Sequence, residues 1–459
     1  MTQTLLKYKF PVGSEVYSLI EEKNGYLEKV VIKKIIYNQK NQSYLYKDTW
    51  NEIYFEEDLC EIPTSTPTLT PTLTSTPTLT LTPTLTLTPT PTLTPTPIPP
   101  SYDFTIADGQ VTINHYVGLD GGAVVIPSVI DGFPVTSIGD DAFHGYLELT
   151  TVTIPSSVTA IGNNVFQGCA SLTEIIVDAS NVDYIIQDDV LLSVDGYTLV
   201  VCLVAKTGDF AIPSGVTTIA GGAFSGCTGL TTITIPSGVT SIGSSAFYNC
   251  TSLTTITIPL GVTSIENWLF YNCTSLADII IPSGIMSIGD RSFYNCANLT
   301  AIVLSPSIMT IGDMAFSNCG NLMTIEIPSS VTSIGNTVFY NCTSLTSVMM
   351  SSSVTSIGDW FYGCTSLTTI TIPSVVMSVM DAAFYGCTSL TTITIPSSVT
   401  SIGSNAFDSC INLTGIYFDG DAPTYGADVF LGDTLATAYY HAGATGWTNP
   451  WSGIPTEIY

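Results

Sequence analysis

The chain has 459 residues, 45% of them hydrophobic and only 10% charged, with a net charge of −27 at neutral pH. Eight of its ten Lys and Arg fall in the first 62 residues; the remainder sets Lys206 and Arg291 against 27 acids, a net of −25. Such a surface offers no cationic footprint to a phosphate backbone or an anionic lipid, which excludes nucleic acid as a partner class. No run of 18 apolar residues reads as a membrane-spanning helix, so direct membrane insertion is not expected. The opening MTQTLLKYKFPVGSEVY lacks the apolar core and small-residue cleavage site of a secretory signal, so export would use another route or a larger particle.

In residues 1–62 the runs EVYSLI, LEKVVIKKIIY, YLYKD and EIYF are separated by EEKNG, NQKNQ and DTWN. β-Branched and aromatic runs between polar turns predict a small antiparallel β module. Its opening FPVGSEVYSL and closing IYFEEDLCEI resemble those of small SH3-like barrels. Residues 63–100 contain only Pro, Thr, Ser, Leu and one Ile, with Thr at every even position from 64 to 96. Eleven prolines deny this stretch both helix and ladder hydrogen bonds, so a disordered, polyproline-II-rich linker is expected. At about 3.1 Å per residue it could reach roughly 120 Å.

From about residue 101 the sequence repeats. Phenylalanine falls at 143, 166, 224, 247, 270, 293, 316, 339, 361, 384, 407 and 430, mostly 23 residues apart. One step is 22, where Asp359-Trp360 carries a deletion, and one is 58. A fixed period in this range signals a solenoid whose units bury their apolar faces only against neighbours. Within residues 230–250, LTTITIPSGVTSIGSSAFYNC, the alternation Thr232-Ile233-Thr234-Ile235 has strand period and Pro236 ends it. Val239 and Ile242 give a second extended piece, and Gly243 allows the corner. Ala246, Phe247 and Cys250 then stand at helical or 3₁₀ spacing and turn the chain back. Stacked units would align their first strands in a parallel sheet with rungs about 4.8 Å apart.

The unit L-x-x-I-x-I-P-x-x-V-x-x-I-G-x-x-A-F-x-x-C resembles the BspA-like leucine-rich repeats over residues 102–410, and LTTITIPSSVTSIGSNAFDSC at 390–410 agrees at every marked position. Departures are local: Leu304-Ser305-Pro306 and Met350-Ser351 replace Ile-Pro, while Glu266 and Met380 replace the corner Gly. The resemblance implies a mainly β, right-handed leucine-rich-repeat solenoid over residues 101–435. Its strand-rich interruption is expected at about 178–211, within the 58-residue step. Residues 436–459 break the pattern with two Trp and two Pro and read as a C-terminal cap, although ATAYYH should add one more strand. The resemblance also implies surface attachment and partner recognition, so a cell-surface or particle-exposed location is expected rather than a cytoplasmic one.

Ten of the twelve cysteines hold one place, three residues after the Phe. Their Cβ vectors would run parallel from rung to rung, which disulfide geometry disfavours, and the paired C-x₂-C spacing of zinc sites is missing. They are read as buried free thiols filling space, with Cys60 and Cys202 the first that a thiol reagent should reach. His115, His144 and His441 stand far apart along a rod, no G-x-S-x-G elbow occurs, and no recurrent carboxylate pair is present. No catalytic residues, cofactor or metal are therefore expected. Asp419-Gly420-Asp421 with Asp428 reads as a polar turn in preference to a Ca²⁺ site. Asn-Cys-Thr at 249, 272 and 341 matches a glycosylation acceptor, but the repeat fixes each Asn beside a buried Cys.

The outer strand face is the repeated exposed feature. Threonines flank the central Ile at 232/234, 255/257, 369/371 and 392/394, and flank Val152 at 151/153. The ladder breaks at Asp278/Ile280, Ala301/Val303, Thr324/Glu326 and Ser347/Met349. Three readings stand: β-branched residues suited to a wet strand, a protein or carbohydrate contact, and ice binding by the Thr ladder. The candidate face is Thr232, Thr234, Thr255, Thr257, Asp278, Glu326, Thr369, Thr371, Thr392 and Thr394. The function expected is non-enzymatic binding or adhesion by a rigid rod on a spacer, with a scaffold lacking a specific ligand as the alternative.

Overall fold

The computed structural model describes residues 102–118 and 122–459 in full, together with the backbone of six strands nearer the N-terminus. Those six pair antiparallel in two sheets: Thr4–Lys9, Glu15–Lys23 and Tyr26–Lys29 in one, Lys34–Asn38, Ser43–Lys47 and Ile53–Tyr54 in the other. The run LEKVVIKKIIY is thus divided between two strands. The barrel closure implied by the SH3-like resemblance, the linker at 63–100 and Cys60 lie outside the described residues. Contacts divide the chain into Met1–Leu93 and Thr94–Tyr459.

The second unit is a β-solenoid of about 14 turns, with no helix among the described residues. One coil shows why. Gly229–Thr234 runs parallel to Thr255–Thr257 of the next coil, with Thr232 beside Thr255 and Ile233 beside Ile256. Pro236 lacks an amide to continue the ladder, and its carbonyl accepts Val239 N in a turn. Ser241–Ile242 then forms a second, two-residue strand that pairs with Thr218–Ile219 of the coil before. Gly243 is required here by crowding: a Cβ would lie 2.4 Å from the backbone nitrogen of Gly221 in the preceding coil. The expected corner residue is therefore a close-approach residue.

The third side replaces the expected helical or 3₁₀ turn with alternating bonds. Ala246, Tyr248 and Cys250 donate to carbonyls three residues back, whereas Ser245, Phe247 and Asn249 donate to Asn267, Leu269 and Tyr271 of the next coil. A left-handed residue two before the Phe and another two after it stop helical propagation. These are Ser245 (φ 57) and Asn249 (φ 57) in this coil, Trp268 (φ 60) and Asn272 (φ 59) in the next. The second position is Asn, Gly or Ser in every coil from Phe224 on, residue types that enter this region cheaply. This accounts for the Asn of the Asn-Cys-Thr motifs, whose side chains also join across coils: Asn272 Nδ2 donates to Asn249 Oδ1 at 2.6 Å, and Asn341 Nδ2 to Asn318 Oδ1 at 3.1 Å.

Inside, the phenylalanines stack ring on ring, with centroids 5.2–5.9 Å apart from Phe224 to Phe430. All eleven cysteines of the described residues are free and buried. Cys202 is among them at 2% exposure, which corrects the expectation that it is accessible: it closes an inner strand of the interruption and packs beside Cys227.

The solenoid opens with an antiparallel hairpin, Tyr102–Ala107 on Gln110–Tyr116. The interruption contains a second one, Tyr184–Gln187 and Val190–Ser193, continuing into Thr198–Cys202. That last strand rejoins the stack through Leu199 beside Ile219. The turn side closes directly across the gap, with Asn164 N on Gly221 O at 2.8 Å. At the far end Thr437–Tyr440 continues the sheet and Thr456–Ile458 adds a further parallel strand. Buried Trp451 seals this end against Phe418, Tyr425 and Trp447, each at 5.1 Å.

Candidate recognition surface

Along the strand face Ile233, Ile256, Ile325 and Ile393 turn inward and are buried. Period-two alternation therefore turns Thr234, Thr255, Thr257, Asp278, Glu326, Thr369, Thr371, Thr392 and Thr394 outward, all exposed. Thr232 is half-buried, and its hydroxyl donates to the Asp209 carboxylate. Thr232 first, then Thr231, thereby hold that carboxyl below its usual range. Threonine has two uses in the repeat. One column spends its hydroxyl on the preceding coil, as Thr254 Oγ1 to Thr231 O at 3.1 Å and Thr414 Oγ1 to Thr391 O at 3.1 Å. Thr151 likewise donates to Glu174 Oε2 at 3.3 Å, and the T-x-T hydroxyls beyond Thr232 and Thr151 make no hydrogen bond to protein among the described residues, which leaves them free for water or a ligand.

The ten candidate residues do not form one surface. Thr232 stands beside Thr255, and Thr255 beside Asp278, in one island. Thr392 and Thr394 stand beside Gly415 and Tyr417 in another, with Thr369 and Thr371 on the coil before. Between them Ile280, Val303 and Met349 are 63%, 82% and 62% exposed. The sheet itself is thin there, with the single bridge Ala301 to Thr324 joining two coils. Each T-x-T island is two coils deep, short of the long regular lattice on which the ice-binding reading depends.

The turn face carries a feature that sequence reasoning missed. Tyr248, Tyr271 and Tyr294 stack at 4.8 and 4.7 Å, and Tyr340, Tyr362 and Tyr385 at 5.0 and 4.4 Å. Beside the first stack, the Trp268 ring lies 5.1 Å from Tyr271, and the Arg291 guanidinium stands 4.7 Å from the centre of the Trp268 ring. Burial raises the Tyr248 and Tyr271 phenols. The signal was available in the sequence: Tyr recurs immediately after the Phe in six coils.

Two shallow cavities complete the surface. One of about 400 Å³ is lined by Glu266, Asp290 and Asp313 with the hydroxyls of Ser287 and Thr310. The carboxylates of Asp290 and Asp313 are spent on the stack, since Asp313 N donates to Asp290 Oδ1 at 2.8 Å and Asn336 N to Asp313 Oδ1 at 2.7 Å, and that of Glu266 accepts the Ser264 hydroxyl of its own coil. The other, about 570 Å³, includes Asp419, Asp421 and His441. Asp421 Oδ1 accepts Thr445 N at 2.6 Å, and Tyr459 OH lies 3.2 Å from His441 Nε2. Asp428 belongs instead to the turn side, in the left-handed position before Phe430. The described residues hold no group of three or more His, Cys, Asp or Glu placed to bind a metal ion.

The model of the BspA-type leucine-rich repeat region matches residues 126–188, 204–323, 263–373 and 309–437, more than half of the chain. The chain belongs to the BspA-type leucine-rich repeat family. Solved structures similar to it include a leucine-rich repeat protein from Bacteroides ovatus, 26% identical over 74% of this chain and 93% of that one, with a TM-score of 0.49. A leucine rich cell surface protein from Faecalibacterium prausnitzii is 30% identical over 70% and 94%, with a TM-score of 0.40. The pneumococcal vaccine antigen PcpA is 18% identical over 74% and 86%, also at 0.40. No curated protein matches this chain. The repeating unit here is one coil, so any recognition surface is assembled from single residues contributed by successive coils.

Proposed function

We infer that this BspA-type protein is a non-enzymatic recognition rod that binds a protein or carbohydrate partner. Residues 63–100 supply reach, and the location is the cell surface or the surface of a particle. The observation that carries this reading is the set of outward hydroxyls on the strand face that have no partner among the described residues. A free hydroxyl can exchange water for a ligand group at little cost, whereas a spent one cannot. The net of −25 beyond residue 62 favours neutral or basic partners and opposes polyanions. The Faecalibacterium relative is a cell surface protein; for this chain a surface location belongs to the same proposal.

The experiment presents the full chain to glycan arrays and to intact cells, beside a Thr255→Ala/Thr257→Ala/Thr392→Ala/Thr394→Ala variant. These exposed sites contribute little to stability, so folding should persist. Specific binding by the parent, reduced in the variant, supports the reading. Binding that is the same for both moves recognition off the strand face. Absence of any saturable binding leaves the scaffold alternative.

A further inference from the structure

The solenoid contains two cations, and one of them is engaged. Lys206 Nζ reaches the Asp188 carbonyl at 2.7 Å and the Asp189 carboxylate at 3.2 Å. Arg291 is half-buried, and among the described residues its guanidinium has no ion pair and no hydrogen bond. It lies against Trp268 instead, 4.7 Å from the ring centre. A cation–π contact fixes the plane of the guanidinium while leaving its edge N–H donors free.

The backbone under this pair is left-handed in both coils. Trp268 (φ 60) and Arg291 (φ 51) hold the left-handed position two before the Phe, where other coils place Gly222, Ser245, Met314, Thr337, Ala382, Asn405 or Asp428. Gly, Ser, Asn and Asp enter that region more readily than Trp or Arg. Neither Trp268 nor Arg291 is among the buried core residues, so core packing does not account for two bulky residues there. Strain retained on a surface is a reason to look for a function.

We propose that Arg291, Trp268 and the Tyr248–Tyr271–Tyr294 stack bind a saccharide bearing a carboxylate, a site that rests on the reading of the rod as a recognition surface. The guanidinium edge matches a carboxylate in two parallel bonds. Next to the tyrosines in sequence, Asn249, Asn272 and Asn295 spend their amides on one another across coils, so the phenols are the groups that recur once per coil as partners for sugar hydroxyls. The net of −25 repels polyanions and acidic protein surfaces, which selects an isolated acid on an otherwise neutral chain.

The test uses the full chain on an array of matched neutral, uronic-acid, sialic-acid and sulfated glycans, with a Glu-containing peptide as a further arm, at physiological salt. Arg291→Asn is the informative variant, because Asn adopts this backbone at Asn164 and Asn405. The expected result is preference for a carboxylated glycan over its neutral match, and a loss of about tenfold or more in Arg291→Asn as one bidentate pair is removed. Its melting temperature should be equal or higher. Arg291→Lys should fall between the two, and Trp268→Asn should weaken binding as well. Undiminished binding by Arg291→Asn, or preference for the sulfated glycans or the peptide, overturns the proposal. If a neutral glycan or a cell-surface protein is bound equally by parent and Arg291→Asn, the general recognition reading stands and this site does not. A chain that binds nothing in either format removes both.

Discussion

The thiol of Cys296 donates to the carbonyl oxygen of Phe270 across 3.2 Å, from one coil to the coil before it. That carbonyl also accepts Cys273 N of its own coil at 3.1 Å, so the thiol uses acceptor capacity that would otherwise face the core unmet. The relation recurs, as Cys250 to Phe224 and Cys410 to Phe384, both at 3.1 Å. The ladder cysteines are therefore donors as well as small fillers. Burial pushes the Cys319 and Cys364 thiols up to about 12 from 9.0. A folded value raised above the unfolded one gives stability that is fully present below pH 9.0 and is lost as pH rises towards about 12. Urea titrations of the reduced chain should show a midpoint that holds up to pH 9 and then falls through this window. A midpoint that does not move there, or bridged ladder cysteines in protein prepared without reductant, would contradict the arrangement.

Phe293 is fully buried between Phe270 at 5.4 Å and Phe316 at 5.3 Å. Phe293→Ala removes both ring contacts and leaves a cavity, at a cost of about 3–5 kcal/mol. In a one-dimensional array the damage should stay with the coils on either side. Hydrogen exchange read by mass spectrometry should rise in residues 270–320 and stay near the parent level beyond 390. A uniform rise along the solenoid would mean that the coils do not behave as nearest neighbours.

The fold was legible because each coil repeats the same physical instruction: an alternating Ile pair, a proline that stops the strand, and a Phe–Cys pair that fills the corner. The strand face was legible for the same reason, since Thr255 and Thr257 must point opposite to Ile256. What periodicity could not show was how many backbone hydrogen bonds each side chain serves. Cys296 reads as a filler until its partner in the preceding coil is known, and Gly243 reads as a flexible corner until Gly221 is placed against it. The Tyr column and the Arg291–Trp268 pair were in the sequence, but their value depends on neighbours 23 residues away. Their left-handed backbone leaves no mark in residue type, because Trp, Arg and Met314 (φ 54) do not announce it.

Asn272 combines two roles that substitution can separate. Its backbone is left-handed, and its amide links Asn249 to Asn295 through bonds of 2.6 and 2.5 Å. Asn272→Ala should cost about 1–3 kcal/mol, from backbone strain and lost hydrogen bonds together. Asn272→Gly keeps the backbone and should cost less than the alanine. Equal losses would assign the whole effect to the amide ladder. Because the Asn272 nitrogen is already a donor within the stack, intact-mass analysis of folded protein from a glycosylating host should find this site unmodified.

Asp433 occupies, in the last full coil, the place that cysteine holds in the others, three residues after Phe430. It is buried, and neither carboxyl oxygen has a hydrogen-bond partner. Burial first, and the Asp408 carboxylate second, push it up to about 7 from 3.8. The raised value stabilises the fold fully below pH 3.8, and the contribution is lost as pH rises through about 7. Acidifying from pH 8 to pH 5 should therefore tighten this end of the solenoid. Asp433→Asn, which cannot ionise, should gain on the order of 1–2 kcal/mol at pH 8 by relieving an unpaired buried charge, and should flatten the dependence. Asp433→Cys, which restores the ladder residue, should act in the same direction. Trp451 lies 6.1 Å from Phe430, so its fluorescence in a denaturant titration reports on this end. If the parent and Asp433→Asn follow the same pH profile, the carboxyl is ionised in the folded state and stabilised by contacts other than these.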